Sequence, residues 1–277
     1  MKRRVKAVVG RLLCEAGLHR SALRNTATIV AFHRVDDALA GDDLTVSCRD
    51  FERFCRFFKR HYEVLSLKEL TARLESREGV GGTLAITFDD GYRDNFINAA
   101  PILKGLDLPA TFFITSRFMG TDHVAWWDAE EGAAPPWMSW DEVRLLADQG
   151  FEIGGHTRHH ADLGEISGDA AWKEIRGCRE DLERMLERPV ETFAYPYGRR
   201  DALTEDNRDL VRRAGFNVCV SCYGGLNRPG ANPLRLLRTP INHWFGSPGQ
   251  FAFENCLEAA QDESPEDAVE NWSPLEK

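Results

Sequence analysis

The chain has 277 residues, enough for one large α/β domain, and its hydrophobic share of 43% is that of an ordinary globular protein. Asp and Glu outnumber Lys and Arg by 44 to 35, for a formal charge of −9, and no basic groove interleaved with aromatics occurs, which argues against nucleic acid as a partner. The seven cysteines, at 14, 48, 55, 178, 219, 222 and 256, follow no disulfide-framework spacing and suit a reducing compartment.

The first element is a basic helix. Val5, Val8, Val9, Leu12, Leu13 and Ala16 recur at helical spacing among Lys2, Arg3, Arg4, Lys6 and Arg11. Two readings of residues 1–25 stand side by side: an amphipathic helix on a membrane surface through residues 1–20, or a helix packed on the rest of the fold. Arg11 and Glu15 interrupt any apolar core and no small-residue cleavage site follows, so a secretory signal is not expected. No run approaches the roughly 20 apolar residues of a membrane span. The expected location is cytoplasmic, at a membrane face only on the first of these two readings of the helix.

Short apolar runs then alternate with amphipathic stretches. Thr28 to Phe32 predicts a strand, and Phe51, Phe54, Cys55 and Phe58 mark one helix face. Ser66 and Glu69 form a capping-box signal ahead of a helix carrying Leu67, Leu70 and Leu74. Leu84 to Phe88 is the next strand, with Phe96, Ala99, Ala100 and Leu103 on the helix behind it, ended by Gly105. Ala110 to Thr115 predicts another strand; Ser139 and Glu142 cap a helix that stops at Gly150, before the strand Phe151 to Ile153. Ala171, Ile175, Cys178, Leu182 and Met185 give a long helix ending before Pro189. Thr192 to Tyr195 and Phe216 to Ser221 are later strands, separated by a helix with Leu203, Leu210, Val211 and Ala214. Cys219 and Cys222 fall in Asn217 to Cys222, which reads as a strand, and are expected to be small buried hydrophobes rather than a redox or zinc pair. Such alternation implies a parallel sheet, and periodicity leaves a barrel and an open doubly wound sheet equally open. The expected divisions are a helix over 1–25, a catalytic domain over 26–255 and an acidic, solvated tail over 256–277.

The chemistry concentrates in two segments at predicted strand ends. Thr87-Phe88-Asp89-Asp90-Gly91 supplies two carboxylates, which the glycine lets gather at one strand end. His156-Thr157-Arg158-His159-His160 supplies imidazoles spaced to reach one ion. One carboxylate and two imidazoles suit a divalent metal, and the second carboxylate is left to act as a base. The combination predicts a metal-dependent hydrolase.

These segments, with Phe32-His33-Arg34-Val35, Ala110-Thr111-Phe112-Phe113-Ile114 and Phe193-Ala194-Tyr195-Pro196-Tyr197-Gly198, resemble the polysaccharide deacetylase family, which shares the chitooligosaccharide-deacetylase (NodB-like) homology domain. The resemblance covers roughly residues 28 to 240. It implies a distorted (β/α) barrel of about seven parallel strands. It also implies that Asp90, His156 and His160 hold one divalent ion, most simply zinc, with cobalt, nickel or manganese as substitutes, and that Asp89 is the base. The substrate it implies is an N-acetylated sugar within a polysaccharide or oligosaccharide. Pro196 and Tyr197 would form one wall of the groove, the Tyr197 N–H helping to bind the oxyanion.

The sequence departs from that pattern in two places. Ala194 stands where better-known members carry an arginine that pairs with the catalytic aspartate; Arg238, after a late apolar run, is the candidate replacement, against the plain reading of a surface arginine. The usual setting of the late histidine acid is absent, and His243 and His33 are the candidates for that role. Trp126 and Trp127 lie on a connection rich in Pro and Gly, where indole faces stack on sugar rings or anchor the loop, whereas Trp140 opens a capped helix and reads as core. Two rival functions remain: a metal amidase acting on small amides, and a carbohydrate-binding protein with an impaired site.

Overall fold

The computed structural model describes residues 2–39, 42–166, 168–242 and 244–261. Seven parallel strands curl into a half-barrel: β1 (Ala27–Phe32), β2 (Thr83–Phe88), β3 (Thr111–Ile114), β4 (Glu152–Gly155), β5 (Thr192–Ala194), β6 (Val218–Val220) and β7 (Thr239–Pro240). Their spatial order is β7-β1-β2-β3-β4-β5-β6. The register sets Phe32 beside Phe88 and Phe88 beside Phe112, so neighbouring strands finish at one rim. The segment 236–241 touches both edges. Leu236 N–H donates to Cys219 O at 3.0 Å, and Ile241 N–H donates to Ala31 O at 2.8 Å.

β1 and β2 are buried along their whole length, as expected for parallel strands covered on both faces. Ile29, Ala85, Phe113, Ala194, Val220 and Leu236 pack together on the concave side. Phe32, Phe88, Phe112 and Phe193 face the helices, with the Phe88 and Phe112 rings stacked at 4.7 Å.

The helices are α1 (Arg3–Glu15), α2 (Leu18–Ala22), α3 (Cys48–His61), α4 (Leu67–Ser76), α5 (Ala100–Gly105), α6 (Trp126–Glu130), α7 (Trp140–Asp148), α8 (Gly168–Leu186), α9 (Glu205–Arg213) and α10 (Pro248–Ala260). The capping signals act as their chemistry requires. Glu142 N–H donates to Ser139 Oγ at 3.2 Å while Ser139 N–H donates to Glu142 Oε2 at 2.8 Å, and Ser66 Oγ accepts from Glu69 N–H at 3.1 Å.

Three expectations need correction. The helix behind β2 opens as a wide π-turn over Asn95–Ala99, because Pro101 has no N–H to continue an α ladder. Leu203 lies before α9, not in it, since Thr204 caps the helix through Asn207 N–H. The boundary expected at 256 falls inside α10, where Phe251, Ala252 and Cys256 are buried. The Ser247-Pro248 start of that helix was a legible signal, obscured by the acidic run that follows. Residues 262–277 of the expected tail lie outside the described residues.

α1 packs on α10 at a small-residue crossing: a methyl group on Gly10 would meet Gly249 O at 1.9 Å. Lys6 Nζ pairs with Glu254 Oε1 at 3.0 Å beside it. The opposite face presents Val5, Val8 and Leu12 to solvent. Among the described residues no helix is long and apolar enough to cross a membrane.

Candidate active site

The rim of the half-barrel is built by backbone that leaves the strands in unusual conformations. Asp89 N–H still bonds Phe32 O at 2.9 Å, after which Asp90 and Gly91 take φ of 74° and 92°. That double left-handed turn brings both carboxylates to the cleft. Thr157, His160 and Tyr197 also have positive φ, so four of the seven such non-glycine residues among those described sit at this rim. Each costs on the order of 1–3 kcal/mol, so the surrounding packing holds the rim in shape against local preference.

Asp90, His156 and His160 are buried and offer donor atoms within 4.8 Å of one another. Asp90 Oδ1 lies 3.4 Å from His156 Nε2 and 3.2 Å from His160 Nε2. His156 Nδ1–H donates to the Ala194 carbonyl at 2.8 Å, which leaves the Nε2 lone pair of the neutral ring directed at a carboxylate oxygen. Asp90 Oδ1 is buried without a hydrogen-bond partner, as is His160 Nδ1. Electron-rich atoms gathered this way fit a cation between them, and the carbonyl behind His156 is the outer partner that orients a metal-bound imidazole. Burial alone would raise the Asp90 pKa, but the His156 and His160 imidazoles beside its carboxylate hold it well below the usual carboxylate value. Burial lowers the pKa of His160, keeping that ring neutral and available as a ligand.

Asp89 is gripped from within the barrel. Arg238 Nη1 and Nη2 donate to its two oxygens at 2.6 and 2.7 Å, and Nη1 also reaches Thr87 Oγ1 at 3.0 Å. The guanidinium is wholly buried and lies 5.3 Å from the Phe113 ring centre. It is therefore not a surface arginine. Burial would raise the Asp89 pKa, yet the Arg238 guanidinium paired with it keeps it below its ordinary value, so Asp89 is ionised. Arg238 approaches from the segment before β7, a different direction from the Ala194 position on β5.

These groups open onto a cleft of about 510 Å³. Trp126, Trp127 and Tyr197 form one wall, with Trp126 57% exposed. The Trp127 and Tyr197 rings lie 4.5 and 4.7 Å from the His160 ring, and Trp126 Nε1 donates to Tyr197 Oη at 3.2 Å. Pro196 is buried and does not line the cleft. His33 does, with Nε2 4.0 Å from Asp89 Oδ2. His243 lies outside the described residues. His159 is exposed and pairs with Glu174 at 2.7 Å, away from the cleft. Thr157 Oγ1 accepts from Ala161 N–H at 3.1 Å, bracing the histidine loop. The strand expected to hold both cysteines ends at Val220: Cys219 is buried, but Cys222 lines the cleft.

Sequence reasoning missed the support beneath this wall. Trp127 Nε1 donates to Tyr92 Oη at 2.7 Å, Tyr92 donates to Asp128 Oδ2 at 2.8 Å, and Asp128 pairs with buried Arg34. Arg34 was visible only as part of the His33-Arg34 motif, and nothing in the spacing links it to a residue 94 positions away.

Residues 76–219 match the sequence profile of the polysaccharide deacetylase family. The chain belongs to that family. Among related deacetylase-family proteins, YxkH of Bacillus subtilis (strain 168) is 24% identical over 199 residues, 71% of this chain and 64% of its own length. The poly-beta-1,6-N-acetyl-D-glucosamine N-deacetylase of Staphylococcus aureus (strain MRSA252) is 25% identical over 208 residues, 72% of this chain and 68% of that protein. In fold, the deacetylase-family chain superposes on IcaB from Ammonifex degensii with a TM-score of 0.70 at 21% identity, covering 83% of this chain and 97% of that one. The Streptococcus pyogenes deacetylase PplD in complex with acetate gives 0.68 at 24% identity, over 84% and 97%. The family and the barrel expected from the sequence motifs both stand.

Proposed function

We propose that this polysaccharide deacetylase family member is a metal-dependent hydrolase that removes acetyl groups from N-acetylated sugars of a polysaccharide or glycoconjugate. The observation that carries the reading is the convergence of three buried donors, Asp90, His156 and His160, next to an ionised Asp89. These three residues would hold a zinc-type ion. Bound there, the ion supplies a Lewis acid that polarises the acetyl carbonyl and lowers the pKa of a water. Asp89 accepts the proton of the attacking water, and Arg238 fixes its orientation through both oxygens. The Tyr197 N–H contributes to the oxyanion pocket, its positive φ of 59° turning that backbone at the cleft wall. His33 returns a proton to the leaving amine; among the described residues it is the cleft imidazole outside the ligand trio.

The exposed Trp126 face and the cleft volume of about 510 Å³ support a sugar substrate over a small amide. The impaired-site reading drew on the missing arginine, and the Arg238 pair with Asp89 speaks against it. The test is acetate release from N-acetylglucosamine oligomers by chelated protein with and without added zinc or cobalt. Restoration by metal in the wild type and none in Asp89→Asn is expected; acetate release that survives chelation, or a protein that binds zinc and never releases acetate, would sink the proposal.

A further inference from the structure

A second cluster of buried ligands lies outside the cleft. Cys14 lies in the last turn of α1, His19 is in α2 and His61 ends α3, and one donor atom from each lies within 4.8 Å of the others. Their exposures are 3%, 1% and 7%. His19 Nε2–H donates to the His61 carbonyl at 2.7 Å, so in the neutral ring Nδ1 carries the lone pair. That Nδ1 is buried and has no hydrogen-bond partner. An orphaned buried nitrogen costs about 1–3 kcal/mol, and a carbonyl fixing the far side of the ring is the usual partner of a metal-bound histidine. A carboxylate is also at hand. Glu15 Oε1 lies 3.9 Å from His61 Nε2, while Arg60 holds the other oxygen at 2.7 Å.

We infer that Cys14, His19 and His61 form a structural site for zinc or a similar borderline-soft cation, with Glu15 swinging in from beside His61 as the fourth donor, which ties the two amino-terminal helices to the end of α3. A thiolate, two imidazoles and one carboxylate make a four-donor set suited to zinc and unsuited to calcium or magnesium. Uptake replaces the Cys14 thiol proton, which leaves to solvent, and the sulfur lone pair forms the new bond. The ligands come from three elements, so the ion cross-links segments otherwise joined by helix packing. This site stands independently of the catalytic reading, whose trio contains no sulfur.

The experiment uses the full chain. Zinc content is measured on the wild type, Cys14→Ser and His160→Ala after equilibration and gel filtration. Two ions per chain are expected in the wild type and one in each variant. Cobalt-substituted wild type and His160→Ala are expected to show sulfur-to-cobalt charge-transfer absorption in the near ultraviolet, and Cys14→Ser to lose it. That loss also assigns the band to Cys14 rather than to Cys222 in the cleft. Chelation should lower the melting temperature of His160→Ala, a readout free of the catalytic ion. The proposal is overturned if Cys14→Ser binds as many ions as the wild type, or if the cobalt protein lacks the sulfur band. Failure of the catalytic site reads differently: His160→Ala then keeps every ion that the wild type holds.

Discussion

Replacing Arg238 with methionine asks whether its pairing with Asp89 holds the proposed base in place. The buried guanidinium uses both terminal nitrogens on the two carboxylate oxygens, at 2.6 and 2.7 Å. Methionine roughly keeps the stem but leaves a buried carboxylate without its counter-charge. Such a deletion costs about 3–5 kcal/mol, from a total domain stability of about 5–15 kcal/mol. Asp89→Asn leaves the opposite charge stranded, whereas the double variant strands neither. The two substitutions should therefore be strongly non-additive, with a coupling of about 3 kcal/mol. Urea unfolding followed by circular dichroism measures the cycle, with chelator present so that metal binding does not enter the comparison. In kinetics, Arg238→Lys should lower kcat/KM by on the order of 100-fold, because one ammonium cannot reproduce a two-toothed grip and a small displacement of a base is expensive. Energies that add within about 0.5 kcal/mol, or an unchanged kcat/KM in Arg238→Lys, would refute the reasoning.

Gly91→Ala places a methyl group 2.7 Å from Met119 Cε at a φ of 92°. The methionine end can shift, so the backbone term dominates; a loss of about 1–3 kcal/mol in thermal unfolding and weaker zinc binding are expected, and a wild-type melting temperature would contradict the strained turn. Burial pushes Asp94 from its usual 3.8 up to about 7. Between those values the unfolded chain has released a proton that the folded chain retains, so stability falls as pH rises through the window, by at most about 4 kcal/mol. Asp94→Asn keeps an acceptor for the Val35 N–H at 2.8 Å and should flatten that slope; a stability–pH curve identical to the wild type would show that Asp94 does not carry it.

The sequence by itself determined which groups are the candidates for the chemistry and which elements carry them. Strand positions followed from apolar runs such as Leu84 to Phe88, and helix starts from local side-chain caps such as Ser139, because both signals act within a few residues. The Asp89-Asp90-Gly91 turn and the His156/His160 spacing were legible for the same reason. Tertiary structure decided everything that depends on distant segments meeting. Arg238 reaches Asp89 across 149 positions, and Arg34 braces the Trp127 wall through Asp128. Cys14, His19 and His61 become one cluster only when α1 and α2 pack beside the end of α3. Periodicity along a chain records which side of an element is buried; it carries no record of what a buried polar group faces, and a charge's partner is set by the closure of the barrel.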